Sequence, residues 1–407
     1  MGITGSAFTD RNLRSLTVQR RTIMKKRALL IAAALAIVGS TTACTVESGS
    51  SEKADTQVAS KADAALKEVE GKVFSKGPNG ENPVTAKAVE LTDEEIEQVK
   101  AKKATAALVM HYAGNDWANA QIAGLKAEFA RLGIDVIAVT DANFNPGQQV
   151  SNIETVLAKN PDIVVSIPTD PVATAGAYRK VAESGAKLVF MDNVPKGLKA
   201  GVDYESIVSA DNFGNGVVSA HLLAKALGGK GEIGVIYHSA DFFVTRQRYE
   251  GFTKVIEEEY PDIKIVKKQG IAGPDFAGDA QKVADAMISQ NPKLAGIWAV
   301  WDVPAEGVMA AARSAGRTDL KIATEDLGTN VAIALAQDQL VVGLGAQQPY
   351  QQGVAEARIG AGALIGKKAP SYVALNALPV SHENVLKAWK QVYNSEPPAD
   401  LKKAMKK

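Results

Sequence analysis

A single cysteine, Cys44, stands in 407 residues, so no disulfide can close within the chain. Histidine is nearly as scarce. His111, His221, His238 and His382 show no metal-ligand spacing, although His111 and His238 each end a strand-like run and could touch a ligand. No nucleophile elbow of the Gly-x-Ser-x-Gly kind occurs. Gly229-Lys230-Gly231-Glu232-Ile233-Gly234 fits a dinucleotide fingerprint by letters alone. It precedes a strand-like run, whereas the fingerprint follows a strand and opens a helix, so it reads as a helix-to-strand turn. Excess charge is missing too. The net charge is +1, and residues 1–43 hold seven bases and one acid, Asp10. The remainder carries 39 basic and 44 acidic residues (46 less seven, 45 less one), a net of −5. A mildly acidic body has no electrostatic footprint for nucleic acid.

What is present begins with an address. Met24-Lys25-Lys26-Arg27 precedes an apolar run of twelve residues, 28–39, and then Ser40-Thr41-Thr42-Ala43-Cys44. A basic start, a short apolar core and small residues describe a secretory signal. The run falls short of the about 20 residues a membrane-crossing helix needs. The cysteine just after the small residues resembles a bacterial lipobox, with Thr41 where an aliphatic residue is preferred. The expectation is a signal peptide over 1–43, with Met24 a second candidate start, and a lipid on Cys44. Small polar residues 45–53 read as a flexible tether. Residues 59–70 read as a helix and 72–83, rich in Gly, Asn and Pro, as loop. Thr92-Asp93-Glu94-Glu95 spells a capping box opening a short helix to about Lys102.

From Ala104 the pattern alternates. Strand-length apolar runs lie at 106–110, 136–139, 163–167, 188–191, 233–237, 263–266, 296–300, 322–324 and 341–344. Helical patterns separate them at 118–132, 148–158, 172–185, 216–227, 246–260, 278–290, 305–315 and 331–337, and one follows at 351–365. Continuous apolar strands alternating with helices predict α/β architecture with parallel sheets covered on both faces. So many units exceed one sheet and predict two doubly wound parallel-sheet domains.

Ligands of such sheets bind beyond the carboxyl ends of the strands. Those ends read Asn115-Asp116-Trp117, Pro168-Thr169-Asp170, Asp192-Asn193, Asp241-Phe242-Phe243, Trp301-Asp302, Glu325-Asp326 and Gln347-Gln348. Carboxylates and amides accept from and donate to vicinal hydroxyls in pairs. Flat aromatics cover the C–H faces of the same kind of molecule.

At these residues the chain resembles the ribose- and galactose-type periplasmic sugar-binding proteins of type I fold, over about 105–365. The stretches that carry the likeness include Asn115-Asp116-Trp117, Pro168-Thr169-Asp170, Ser209-Ala210-Asp211-Asn212 and Arg246-Gln247-Arg248-Tyr249-Glu250-Gly251-Phe252. Asp275-Phe276, Glu325-Asp326 and Ala346-Gln347-Gln348-Pro349 follow in the family's order. The resemblance implies a ligand pocket built from Asn115, Trp117, Asp192, Asn193 and Arg248 together with Phe276, Trp301, Asp326 and Gln347. Three departures from ribose binders stand out. Asn193 replaces an arginine, Ile167 an asparagine and Trp301 an asparagine, which argues against ribose itself.

The same resemblance implies residues 104–210 plus 348–376 as an N-terminal lobe and 211–347 plus 377–407 as a C-terminal lobe, with 44–103 as tether and short helices. The chain would cross between lobes near Ser209–Asn212, Gln347–Gln348 and Asn376, forming a hinge. It implies no cofactor and no catalysis. It also implies a monomer, anchored outside the cytoplasmic membrane, that binds a small sugar or polyol and delivers it to an ABC permease. A receptor for a furanosyl signal and a secreted glycosidase stay open as alternatives. A DNA-binding regulator with this body would need a helix-turn-helix where residues 1–103 carry an export signal and tether.

Overall fold

The computed structural model describes residues 48–406, and the side chains from 55 onward. The predicted signal, Cys44 and the first residues of the predicted tether lie outside the described residues. The described chain opens with α1 (Ser48–Val69), a 3-10 turn (Ala86–Val89) and α2 (Asp93–Lys102). A first series follows: β1 (Thr105–Met110), α3 (Asp116–Arg131), β2 (Asp135–Asp141), α4 (Pro146–Leu157), β3 (Ile163–Ser166), α5 (Ala175–Glu183), β4 (Lys187–Met191) and β5 (Ser206–Ala210). A second runs through α6 (Asn212–Ala226), β6 (Gly231–His238), α7 (Phe243–Glu259), β7 (Ile263–Ile271), α8 (Phe276–Gln290), β8 (Leu294–Ala299), α9 (Asp302–Ser314), β9 (Lys321–Glu325), α10 (Thr329–Ala336) and β10 (Val341–Ala346). α11 (Pro349–Leu364), β11 (Tyr372–Leu375), β12 (Leu378–Val380), α12 (Val385–Tyr393) and α13 (Ala399–Ala404) complete it.

The strands form two six-stranded sheets, ordered β11-β5-β4-β3-β1-β2 and β12-β10-β9-β8-β6-β7. Every pairing is parallel except that of β12 with β10. Both sheets are covered on two faces, as the bare apolar strands require. Along β1, Ala106, Leu108 and Met110 enter one core cluster while Ala107 and Val109 enter another. In the second sheet Ile297 and Ala299 of β8 face one cluster and Trp298 the other. The chain passes between the sheets three times: from β5 into α6, from β10 into α11, and from β11 to β12.

Two features depart from expectation. Residues from Ser48 onward are helical rather than tether, because α1 has a partner. Ala62 and Val69 are buried, Lys225 pairs with Asp63 at 2.6 Å on α6, and Lys61 reaches Glu259. Helices in proteins draw most of their stability from such packing. The short strands β5, β11 and β12 carry no alternating or long apolar signal. β5 is fully buried despite two serines, because Ser206 and Ser209 spend their hydroxyls on Pro370 and Asp192. The Thr92–Glu95 capping box is present, with both reciprocal bonds. No described helix is long and apolar enough to cross a membrane.

Candidate functional site

The carboxyl ends of β1, β3 and β4 in the first sheet and of β6, β8 and β9 in the second border one cavity of about 340 Å³. All nine residues singled out by sequence line it: Asn115, Trp117, Asp192, Asn193 and Arg248, with Phe276, Trp301, Asp326 and Gln347.

Arg248 lies in the first half of α7 and is 2% exposed. Its Nη1 donates to Asp326 Oδ2 at 2.9 Å and to the Val300 carbonyl at 3.1 Å, and its Nε donates to Asn212 Oδ1 at 3.1 Å. Burial works against the guanidinium's charge, but Asp326, Glu325 and Asp192 around it more than offset that, and it is held charged. Gln347 Nε2 donates to Asp326 Oδ1 at 2.9 Å. Asp192 accepts from Ser209 Oγ at 2.7 Å and from Gln352 Nε2 at 3.4 Å. Burial pushes the Asp192 carboxyl up to about 6, against the pull of Ser209 and Arg248. Asp192 and Asp326 follow β4 and β9, and both hold left-handed backbone, with φ of 50° and 64°. Non-glycine residues bear such conformations where the surroundings impose them, commonly at ligand sites.

Aromatic rings cover the rest. Trp301 meets Phe276 edge to face at 4.9 Å and His238 at 5.6 Å. His238 stacks on Phe242, and His111 stands edge-on to Trp117 and Phe144. Burial lowers both His111 and His238 to about 4, so each is neutral near pH 7. Several buried polar atoms of lining residues make no hydrogen bond within the protein: His111 Nδ1, Trp117 Nε1, Asn193 Oδ1, His238 Nδ1 and Gln347 Oε1. Buried polar atoms are rarely left unpaired.

The strand-end residues divide by task. Asp211 and Asp275 accept backbone amides at helix starts, the ordinary capping role, while Asp170 accepts those of Val172 and Ala173 in the turn before α5 and also lines the cavity. Asn115 does both: its Oδ1 caps α3 through Ala118, and the residue also lines the cavity. Asp116, read from sequence within the same ligand turn, instead reaches across to the second half. Its Oδ2 accepts from the amide and hydroxyl of Thr329, each at 2.7 Å. Lining residues absent from the sequence-based set include His111, Phe144, His238, Phe242 and Asp302. All but Phe144 belong to strand ends whose polar or aromatic character was visible. Phe144 sits in the loop after β2, where nothing in the sequence marks it. Burial, and then the nearby charge of Asp326, holds the Asp302 carboxyl well above the usual range.

Two parallel-dominated doubly wound sheets with a ligand-sized cavity between their carboxyl ends define a two-lobed binding protein of type I periplasmic fold. The family described as periplasmic binding protein domain matches residues 106–368, well over half of the chain, and the chain belongs to it. A ribose import binding protein of Bacillus subtilis is 27% identical over 60% of this chain and 76% of its own length. A D-apiose import binding protein of Actinobacillus succinogenes is 26% identical over 51% of this chain and 64% of its own. Among solved structures, a periplasmic solute-binding protein of an ABC transporter from A. succinogenes, with bound D-allose, is 26% identical with a TM-score of 0.62. The match covers 69% of this chain and 99% of that one.

Proposed function

We propose that this chain is the extracytoplasmic solute-binding component of an ABC importer and that it holds a small sugar or polyol in the cavity between the two sheets, without chemical turnover. The observation that carries the reading is the cavity wall itself. Buried amide, imidazole and indole atoms without protein partners alternate there with Asp192 and Asp326 and with four flanking rings, Trp117, Phe242, Phe276 and Trp301. Hydroxyls satisfy the first set and ring C–H faces suit the second. A volume of about 340 Å³ lies at the low end for small-molecule pockets, which run from about 300 to 1,000 Å³, and suits one monosaccharide or polyol. The import binding proteins for ribose and D-apiose among its relatives, and the neighbour holding D-allose, support the same class of ligand.

In this reading residues 104–210 with 348–376 and 211–347 with 377–407 act as two lobes that close on the ligand about the three chain passages. The ligand supplies the differential affinity that populates the closed form, which a membrane permease then reads. The protein works as a monomer. Lipid on Cys44 anchors it to the membrane, a point that rests on the signal and cysteine alone. Mass spectrometry of the native N-terminus checks the anchor, and a free Cys44 thiol or cleavage elsewhere would refute it. The function itself is tested by thermal shift against a panel of aldoses, polyols and cyclitols, followed by recovery of the binder after long incubation. Stoichiometric stabilisation with the binder recovered intact is the expected result. Product that disappears with Asp192 or Asp326 replaced would make the protein a glycosidase. A preference for furanosyl signal molecules over every sugar and polyol would make it a receptor.

A further inference from the structure

The acids and base of the cavity do not stand separately in their walls. From Arg248, a continuous chain of hydrogen bonds runs through the passage between β5 and α6 to Asp192. Arg248 Nε donates to Asn212 Oδ1 at 3.1 Å, Asn212 Nδ2 donates to Ser209 Oγ at 3.0 Å, and Ser209 Oγ donates to Asp192 Oδ1 at 2.7 Å. At the other end Arg248 holds Asp326 at 2.9 Å. Every link is fully buried, with Ser209 and Asn212 both 0% exposed. The polarity of the chain is dictated by its ends. A guanidinium can only donate and an ionised carboxylate can only accept, so the amide must turn its oxygen to Arg248 and its nitrogen to Ser209, and the hydroxyl must point at Asp192. Bonds aligned in one sense polarise one another, the more so away from water.

The passage is also held from outside. Next to it, Asp211 accepts from the amides of Phe74 and Ser75 and from the Ser75 hydroxyl, each at 2.8 Å. Ser75 Oγ in turn accepts from the Phe213 amide at 3.0 Å. The loop after α1 thereby fixes the backbone on which Ser209 and Asn212 stand.

We propose that Ser209 and Asn212 are positioning residues that link the two walls of the cleft, so that the state of Asp192 in one sheet is felt at Arg248 and Asp326 in the other. The proposal rests on the reading of the cleft as a ligand site. Neither residue lines the cavity. Each acts by orienting a group that does, and a ligand hydroxyl that engages Asp192 alters the acceptor that Arg248 faces, Asn212 Oδ1, before the lobes have met around it.

The test needs no ligand, so its failure leaves the binding-protein reading intact. The resonance of the Arg248 Nε–H is followed by ¹⁵N–¹H spectroscopy of the whole protein, with thermal melting as the folding check. Asp192→Asn, which makes no hydrogen bond to Arg248, should move that resonance clearly. In a Ser209→Ala background the same substitution should move it by half as much or less, and Ser209→Thr, which returns the hydroxyl, should restore the full effect. Ser209→Ala leaves Asn212 a second acceptor, the Ala210 carbonyl at 3.1 Å, so folding is expected to survive. Asn212→Ala is a second break in the chain and should act likewise. An Asp192→Asn effect unchanged in both backgrounds would show that the walls communicate only through space, and no effect in the parent protein would show that they do not communicate; either result overturns the proposal.

Discussion

Asp192 faces two demands that pull its chemistry in opposite directions. Burial raises its carboxyl to about 6, while a ligand hydroxyl is best accepted by the ionised form. Affinity for the sugar or polyol should therefore fall as pH drops from 7.5 to 5, and titrations at the two pH values check this. Equal affinity at both would count against Asp192 as an acceptor. For the ligand-free protein the sign is reversed. A carboxyl whose folded value is raised opposes folding once ionised, so its favourable share is present at acid pH and lost as pH rises through about 6. Asp192→Asn should raise the melting temperature of the free protein at pH 7.5 and leave it nearly unchanged at pH 4. Arg248→Ala is a different kind of loss. It strands Asp326 and Glu325 without their cation, and breaking a buried pair from one side costs about 3–5 kcal/mol. Denaturant unfolding should show a deficit of that size, with the protein still folded in water.

Among the elements, the N-terminal segment has the largest consequence that periodicity alone did not disclose. α1 packs on α6, the loop after it clips Asp211, Val84 bridges to Val373 at the edge of the first sheet, and Lys367 reaches Glu95 on α2 at 2.7 Å. Residues 48–104 thus touch both sheets and lie outside the stretch that matches the family. Ser75→Ala removes a donor from Asp211, in buried surroundings, and the acceptor of the half-buried Phe213 amide, and should cost about 1–3 kcal/mol in unfolding experiments. A loss below about 0.5 kcal/mol would mean the clip contributes little. What was legible follows from what each element buries. The central strands of both sheets are apolar on two faces, and that constraint is written in consecutive residues such as 106–110 of β1. β12 is three residues long, too short for any period to show, so nothing local marks it. The strand ends showed which residues gather, since the winding of the sheet brings them to one edge. They did not show which would cap. Asp170 and Asp192 look alike as letters after a strand, and only the backbone amides offered to Asp170 and the buried hydroxyl offered to Asp192 separate them.

At the scale of the molecule, the two halves touch across the cavity mouth. Asp116 on one side holds Thr329 on the other, and Phe144 meets Phe276 at 5.5 Å. In the proposed two-lobe reading these contacts belong to the closed form, and opening the cleft would break them. Thr329→Val removes the hydroxyl donor and keeps the shape. It should shift the balance toward open forms and weaken ligand affinity about three- to tenfold, chiefly through faster release, with little effect on unfolding. Small-angle scattering of the ligand-free variant should show a larger radius of gyration than the parent. No change in release rate or in scattering would indicate that the Asp116–Thr329 contact does not hold the halves together.

In the proposed function one small hydroxylated molecule sits between Asp192, Arg248 and Asp326. Titration calorimetry of the parent protein and of Asp192→Ala, Arg248→Ala and Asp326→Ala, each checked for folding, with the sugar or polyol that stabilises the parent most, tests it directly. Losing one charge-assisted hydrogen bond costs about 1.5–3 kcal/mol, roughly 10- to 150-fold in affinity. The predicted result is one-to-one binding by the parent and a loss in that range for each variant. Binding by all three variants within twofold of the parent would contradict the account and return these side chains to purely structural duty.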